Sequence, residues 1–187
     1  MNFGIIGTNF ISDWFVSALP CAKAQATAVF SRKKETGALF ASRHAIPLVY
    51  DDPDAFLASD AFDAVYVASP NFLHESHAIR ALRAGKHVLC EKPAAPSLAG
   101  YLRMCEVAKE EGRTLMEAMR TVHDSLWERD ASDAPNNMHE ETRDFIRAVR
   151  TGELLPFFET THAALSVCDA LRTAAGVRFP SDEDDAR

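Results

Sequence analysis

From the N-terminus to about residue 120, apolar runs of strand length alternate with longer stretches in which apolar residues recur every three or four positions. That alternation predicts repeated βαβ units and a parallel sheet. The first strand is Phe3-Gly4-Ile5-Ile6; it breaks at Gly7, and Ile11, Trp14, Phe15, Ala18 and Leu19 then share a helical face as far as Pro20. Thr27-Ala28-Val29-Phe30 is a second strand, followed by a basic cluster and a helix through Phe40. Leu48-Val49-Tyr50 is a short third strand, after which Asp52 and Pro53 supply an N-cap and a first-turn proline for a brief helix through Leu57.

Ala64 to Ala68 reads as a fourth strand, and the turn Ser69-Pro70-Asn71 opens a helix that closes at Gly85. His87-Val88-Leu89-Cys90 is the fifth strand. Ser97 caps a helix ended by Gly112, and Thr114 to Ala118 is the last strand. These strands are apolar throughout instead of alternating, which predicts helices on both faces of the sheet. The expected fold class is therefore α/β, a doubly wound parallel sheet of Rossmann type followed by a short helical C-terminal segment. Beyond Arg120 the chain turns polar, and Ser132 to Asn137 reads as a loop. Two amphipathic helices follow: one carries Phe145, Ile146 and Val149 and ends near Gly152, the other carries Ala164, Cys168, Leu171 and Ala175 and ends near Gly176. The organisation is an α/β unit over 1–122, a polar linker over 123–138 and C-terminal helices over 139–187.

Composition narrows what such a chain does. With 187 residues, 47% of them hydrophobic, it can bury one substantial core. A net charge of -7 with no Lys/Arg stripe argues against nucleic acid or an anionic membrane as partner and favours a small-molecule substrate. No stretch of about 18 apolar residues occurs and the first residues lack a signal-peptide pattern, so a cytoplasmic location is expected. Cys21, Cys90, Cys105 and Cys168 have no Cys-x-x-Cys spacing and read as buried reduced thiols; no metal site is expected, although His74 and His77 lie three apart.

The chemistry clusters after the strands, where ligands of open α/β sheets bind. The first turn, Gly7-Thr8-Asn9-Phe10-Ile11-Ser12, keeps only the first glycine of a Gly-x-Gly-x-x-Gly fingerprint. Asn9 tolerates a left-handed backbone and could replace the second glycine, though an ordinary strand-to-helix turn would read similarly. After the second strand, Ser31-Arg32-Lys33 offers cations where an acidic residue would bind the ribose of NAD, which points to NADP, with NAD still possible. The alternative is that Arg32 and Lys33 are solvated at a helix start. Ser69, Pro70, Asn71 and His74 lie where a nicotinamide ribose would sit, although turn formation and capping would also explain Pro70 and Asn71. In Glu91-Lys92-Pro93, the proline should hold Lys92 extended; its amine could bind a substrate oxygen and share in proton transfer, with partial burial lowering its pKa, while Glu91 could bind ribose or orient the lysine. An isolated surface lysine remains the bland reading.

Together, Gly4-Ile5-Ile6-Gly7-Thr8, Val29-Phe30-Ser31-Arg32, Ala68 to His74, Gly85 to Pro93 and Met116-Glu117-Ala118-Met119-Arg120 give a chain that resembles the glucose-fructose oxidoreductase/inositol dehydrogenase (Gfo/Idh/MocA) family over its first two thirds. The resemblance implies a Rossmann domain that uses NAD or NADP to oxidise or reduce sugars, polyols and related alcohols, with Lys92 at the position of the catalytic lysine. It also implies a second α/β domain carrying an Asp-x-x-x-His pair and commonly a dimer face. No such sheet or motif can be built between Val122 and Met138, whereas His139 to Phe145 and Leu171 to Pro180 are similar to the family's last helices. The expectation is a chain lacking the middle of that domain, with His123 as a substitute base. Its helical apolar faces should either pack on the Rossmann unit or bring a homo-oligomer together. An impaired or regulatory nucleotide-binding remnant is the alternative to an active oxidoreductase.

Overall fold

The computed structural model describes residues 1–119 and 136–179. Most of the expected linker, including His123, lies outside them. Six parallel strands form one sheet in the order β3-β2-β1-β4-β5-β6: β1 (Asn2–Ile6), β2 (Gln25–Phe30), β3 (Leu48–Tyr50), β4 (Ala64–Val67), β5 (His87–Glu91) and β6 (Leu115–Ala118). Successive connections run one way from β1 to β3 and then return to the other side of β1, so a crevice opens between the ends of β1 and β4. The register puts Ile6 opposite both Phe30 and Val67, Val67 opposite Cys90, and Cys90 opposite Glu117. Gly7, Ser31, Ala68 and Glu91 therefore emerge side by side along one edge of the sheet.

Helices α1 (Phe10–Ala18), α2 (Lys34–His44) and α6 (Met138–Thr151) bury apolar residues against one face, with Phe15, Phe40 and Phe145 in one core cluster. On the other face α3 (Pro53–Leu57), α4 (His74–Arg83), α5 (Leu98–Glu110) and α7 (Phe158–Ala174) contribute Phe56, Leu82, Met104 and Leu165 to a second cluster. The inner strands are apolar because both of their faces are covered, and β4 and β6 are buried along their whole length, whereas no residue of the edge strand β3 is buried. Strand ends differ from the sequence expectation by a residue or two, most usefully at β5, which includes Glu91.

The C-terminal helices pack on the Rossmann unit. In α6, Phe145 is fully buried against Phe3, their ring centroids 5.8 Å apart; Phe3 meets Phe15 edge-on at 5.4 Å, and Phe15 stacks on Tyr66 at 3.7 Å. In α7 the face differs from expectation. Ala164, Cys168, Leu171 and Ala175 are exposed, Leu171 at 66%, while Thr161 and Leu165 are buried. The surface under α7 presents the carboxylate of Glu117 and the unpaired first-turn N–H of α5, so a stripe carrying Thr161 and Asp169 docks better than a purely apolar one. Two of the four thiols, Cys90 and Cys105, are buried as expected; Cys21 is half-buried and Cys168 is exposed.

Phe145 links α6 to the sheet through a continuous row of rings. Phe145→Ala should destabilise the chain by about 3–5 kcal/mol in urea unfolding, the usual cost of emptying a buried phenylalanine site. A change under 1 kcal/mol would mean that α6 does not dock there.

Candidate functional site

The crevice begins at Gly7. Its φ is +108°, and a Cβ there would lie 2.4 Å from the carbonyl oxygen of Ala68, so only glycine lets β1 pass this close to the end of β4. Asn9 does not adopt the left-handed conformation expected of a glycine substitute: its φ and ψ are -87° and 178°. It caps α1 instead. Its Oδ1 accepts the N–H groups of Ile11 and Ser12 at 3.1 and 3.2 Å, and its Nδ2 donates to the Ala68 carbonyl at 2.8 Å. Asparagine is a preferred N-cap, and Gly7 alone supplies the close backbone approach.

A cavity of about 720 Å³ fills the crevice, within the size range of small-molecule and cofactor sites. Gly7, Thr8 and Asn9 form its floor. Ser31, Arg32, Lys33 and Thr36 form one end, and Ser69, Pro70, Asn71 and His77 the other. No carboxylate lines it among the described residues, so its β2 end is purely cationic. His77 accepts or donates at Nδ1 to the Ser69 hydroxyl, 2.9 Å away. Burial, reinforced by the charges of Arg80, His74 and Arg32, holds its pKa below the ordinary histidine value, so it is a neutral hydrogen-bonding group near pH 7. His77 and Thr36 were not singled out as site residues from sequence. The signal for His77 was its i+3 spacing from His74, which the sequence offered only as a poor metal pair.

Phe10, Ile11, His74, Glu91, Lys92 and Pro93 do not line this cavity. Phe10 is 69% exposed and lies edge-on to Trp14, while Ile11 packs toward the core. His74 is buried behind the wall, with Nδ1 2.8 Å from the Pro93 carbonyl and Nε2 2.7 Å from the Ser69 carbonyl, so it ties the end of β4 to the end of β5. Glu91 is also turned inward: Tyr66 donates its hydroxyl to Oε1 at 2.5 Å and the Lys92 N–H points to Oε2 at 3.2 Å. Burial pushes the Glu91 carboxyl above its ordinary value, with Tyr66, the Lys92 amide and the charges of Lys92 and His74 pulling it back. The same burial, with Glu91 beside it, drives the Tyr66 phenol well above its usual range. Lys92 precedes a cis peptide bond to Pro93 and is exposed instead of half-buried. The site thus has two parts: a preformed cavity, and beside it an accessible amine on a turn held from beneath.

Cofactor-sized anions fit this architecture on its own terms. The Gly7 cradle would be filled by any Cβ, α1 directs its N-terminus at the crevice, and two cations and two hydroxyl side chains gather at one end.

Residues 1–119 match the profile of the GFO_IDH_MocA family, described as an oxidoreductase family with an NAD-binding Rossmann fold. The chain is 47% identical over 123 residues to scyllo-inositol 2-dehydrogenase (NADP(+)) IolU of Bacillus subtilis, a match covering 65% of this chain and 38% of that protein. Among solved structures it is similar to KijD10, a 3-ketoreductase from Actinomadura kijaniata in complex with NADP and TDP-benzene, at 34% identity and a TM-score of 0.62 over 66% of this chain and 38% of that one. It is also similar to a levoglucosan dehydrogenase in complex with NADH and levoglucosan, at 26% identity and a TM-score of 0.61, over 66% of this chain and 36% of that one. The chain spans well under half the length of these relatives.

The raised Glu91 carboxyl has a definite sign. A carboxyl whose folded pKa exceeds its unfolded one contributes stability that is present below about pH 4.5 and lost as pH rises through the folded value. Glu91→Gln removes that loss while keeping an acceptor for Tyr66. Urea unfolding from pH 4 to 8 should therefore show the stability of the variant minus that of the wild type increasing as pH rises; a difference that stays constant or decreases over this range refutes the assignment.

Proposed function

Because this chain belongs to the Gfo/Idh/MocA oxidoreductase family, we propose that its cavity binds NADP and that it serves hydride transfer between the nicotinamide and a sugar, polyol or related alcohol or carbonyl. The observation that carries the cofactor choice is the cationic end of the cavity, where Arg32 and Lys33 stand after β2 with no carboxylate among the lining residues. The NADP named with IolU and KijD10 supports it, and the NADH of levoglucosan dehydrogenase keeps NAD as a weaker ligand. The substrate class rests on the same kinds of relative.

In this reading Gly7, Thr8 and Asn9 admit the pyrophosphate to the N-terminus of α1. Ser31, Arg32, Lys33 and Thr36 receive the 2′-phosphate, with Arg32 suited to a forked contact. Ser69, Pro70, Asn71 and neutral His77 border the nicotinamide half. When bound, the cofactor supplies a hydride donor or acceptor. Lys92 as an ammonium would donate a hydrogen bond to the substrate carbonyl oxygen and pass its proton to that oxygen as hydride arrives; in the reverse direction the neutral amine would accept the alcohol proton as hydride leaves. Glu91 holds the Lys92 backbone from below, and His74 holds Pro93. The alternative is nucleotide binding without turnover, favoured by one fact: Lys92 stands outside the cavity, exposed, so another surface must bring substrate to it.

Fluorescence titration should give tighter binding of NADPH than NADH, and Arg32→Ala with Lys33→Ala should weaken NADPH by about tenfold or more while leaving NADH nearly unchanged. Equal affinities in the wild type would overturn the NADP choice. In a screen of sugars and polyols, Lys92→Ala should reduce turnover by at least about a hundredfold with NADPH affinity within twofold of wild type. Binding with no turnover in the wild type selects the alternative.

A further inference from the structure

The turn that carries Lys92 is gripped from behind by the C-terminal helix α7. Glu117, on β6, is 4% exposed, and Thr161 of α7 is 2% exposed. One carboxylate oxygen of Glu117 accepts the Ala94 N–H at 2.7 Å; the other accepts the Thr161 hydroxyl at 2.9 Å. Two turns along α7, Asp169 accepts the N–H of Leu98 at 2.8 Å. At the start of α7, Phe158 stacks on Tyr101 of α5 with ring centroids 5.9 Å apart. Thr161, Leu165 and Asp169 are spaced i, i+4 and i+8, so they form one stripe along the helix. Ala94 and Leu98 are the two ends of the short segment between the Lys92 turn and α5; α7 holds the Leu98 amide directly and contacts the Glu117 carboxylate that holds the Ala94 amide.

We propose that Thr161 and Asp169 are positioning residues: acting through Glu117 and through the first turn of α5, they fix the segment that aims the Lys92 amine. The proposal rests on the substrate-orienting reading of Lys92 given above. A lysine amine stands at the end of a four-carbon stem, so where it can reach depends on how firmly its own backbone is oriented. Apolar packing is non-directional and would hold α7 against α5 without choosing a register. A buried carboxylate is costly unless its oxygens are satisfied, so it demands Thr161 and Ala94 at particular positions. That demand also explains why α7 turns its more apolar stripe, with Val167 and Leu171, outward.

Thr161→Val keeps the shape of the side chain and removes the hydroxyl; Thr161→Ser restores it. At saturating NADPH, Thr161→Val should lower kcat by about tenfold or more, since small misplacements of a reacting group are costly, with NADPH affinity within twofold of wild type and Thr161→Ser close to wild type. A purely structural Thr161 would lower both parameters or neither, and wild-type kcat in Thr161→Val overturns the proposal. Asp169→Ala provides the same test should Thr161→Val fail to fold. If the wild type binds NADPH but turns nothing over, the reading of Lys92 fails, and amide hydrogen exchange then judges the wiring by itself. Ala94 in Thr161→Val, and Leu98 in Asp169→Ala, should exchange about fivefold faster or more, with Ile5 and Val65 unchanged. Unchanged exchange at Ala94 and Leu98 overturns the proposal.

Discussion

No side chain stands between Gly7 and the carbonyl of Ala68, and the site depends on that contact. It lets the ends of β1 and β4 lie together at the point where the strand order reverses, and it leaves the crevice floor to backbone atoms. The same carbonyl accepts Asn9, so the residue that caps α1 also pins α1 to β4. The next residue, Ser69, takes His74 at its carbonyl and His77 at its hydroxyl. The end of β4 is therefore tied both to the turn that follows β1 and to α4.

The neighbouring strand ends are treated differently. Strands β4, β5 and β6 are apolar along their lengths, yet carry Tyr66, Glu91 and Glu117 at or near their ends, all buried and all hydrogen-bonded. Burial opposes ionisation of Tyr66 and Glu91, and replacing buried ionisable groups with apolar residues of like volume is often neutral or stabilising. What they add is direction. Tyr66 and Glu91 hold the Lys92 amide, His74 holds the Pro93 carbonyl, and Glu117 holds the Ala94 amide. Three consecutive residues around one exposed amine thus have backbone groups fixed by buried side chains. The ring row from Phe145 through Phe3 and Phe15 to Tyr66 carries that support to α6 on the far side of the sheet.

Strands, helices and the turns that end them were legible in the sequence because they depend on neighbours in the chain: runs of Val, Ile and Ala, the caps at Asp52 and Ser97, glycine at Gly85 and Gly112. The cavity's floor and cationic end were legible for a related reason, since Gly7 and Ser31-Arg32-Lys33 follow strands directly. What escaped was polar contact between distant segments. Thr161 meets Glu117 across 44 residues and Asp169 meets Leu98 across 71, and nothing in the local pattern of α7 distinguishes Thr161 from a solvated threonine. The helix therefore turned a face that apolar periodicity alone would not choose. Asn9 was misjudged similarly: its backbone tolerance was visible, whereas its partner Ala68 lies 59 residues on. His74 and Glu91 stand next to site residues in sequence but point into the protein, because the carbonyls and phenol that satisfy them lie beneath the turn.

The cationic end of the cavity matters most because of what surrounds it. The whole chain carries a net charge of -7, against which Arg32 and Lys33 offer an approaching anion a local pair of cations at one end of the cavity. A doubly charged group at one end of a long ligand is therefore favoured at that end of the cavity during diffusion, a sorting that begins before any hydrogen bond forms. That sorting operates over roughly a Debye length, about 8 Å at physiological ionic strength. The medium's salt, as much as the cavity's shape, thus sets how often an encounter begins the right way round.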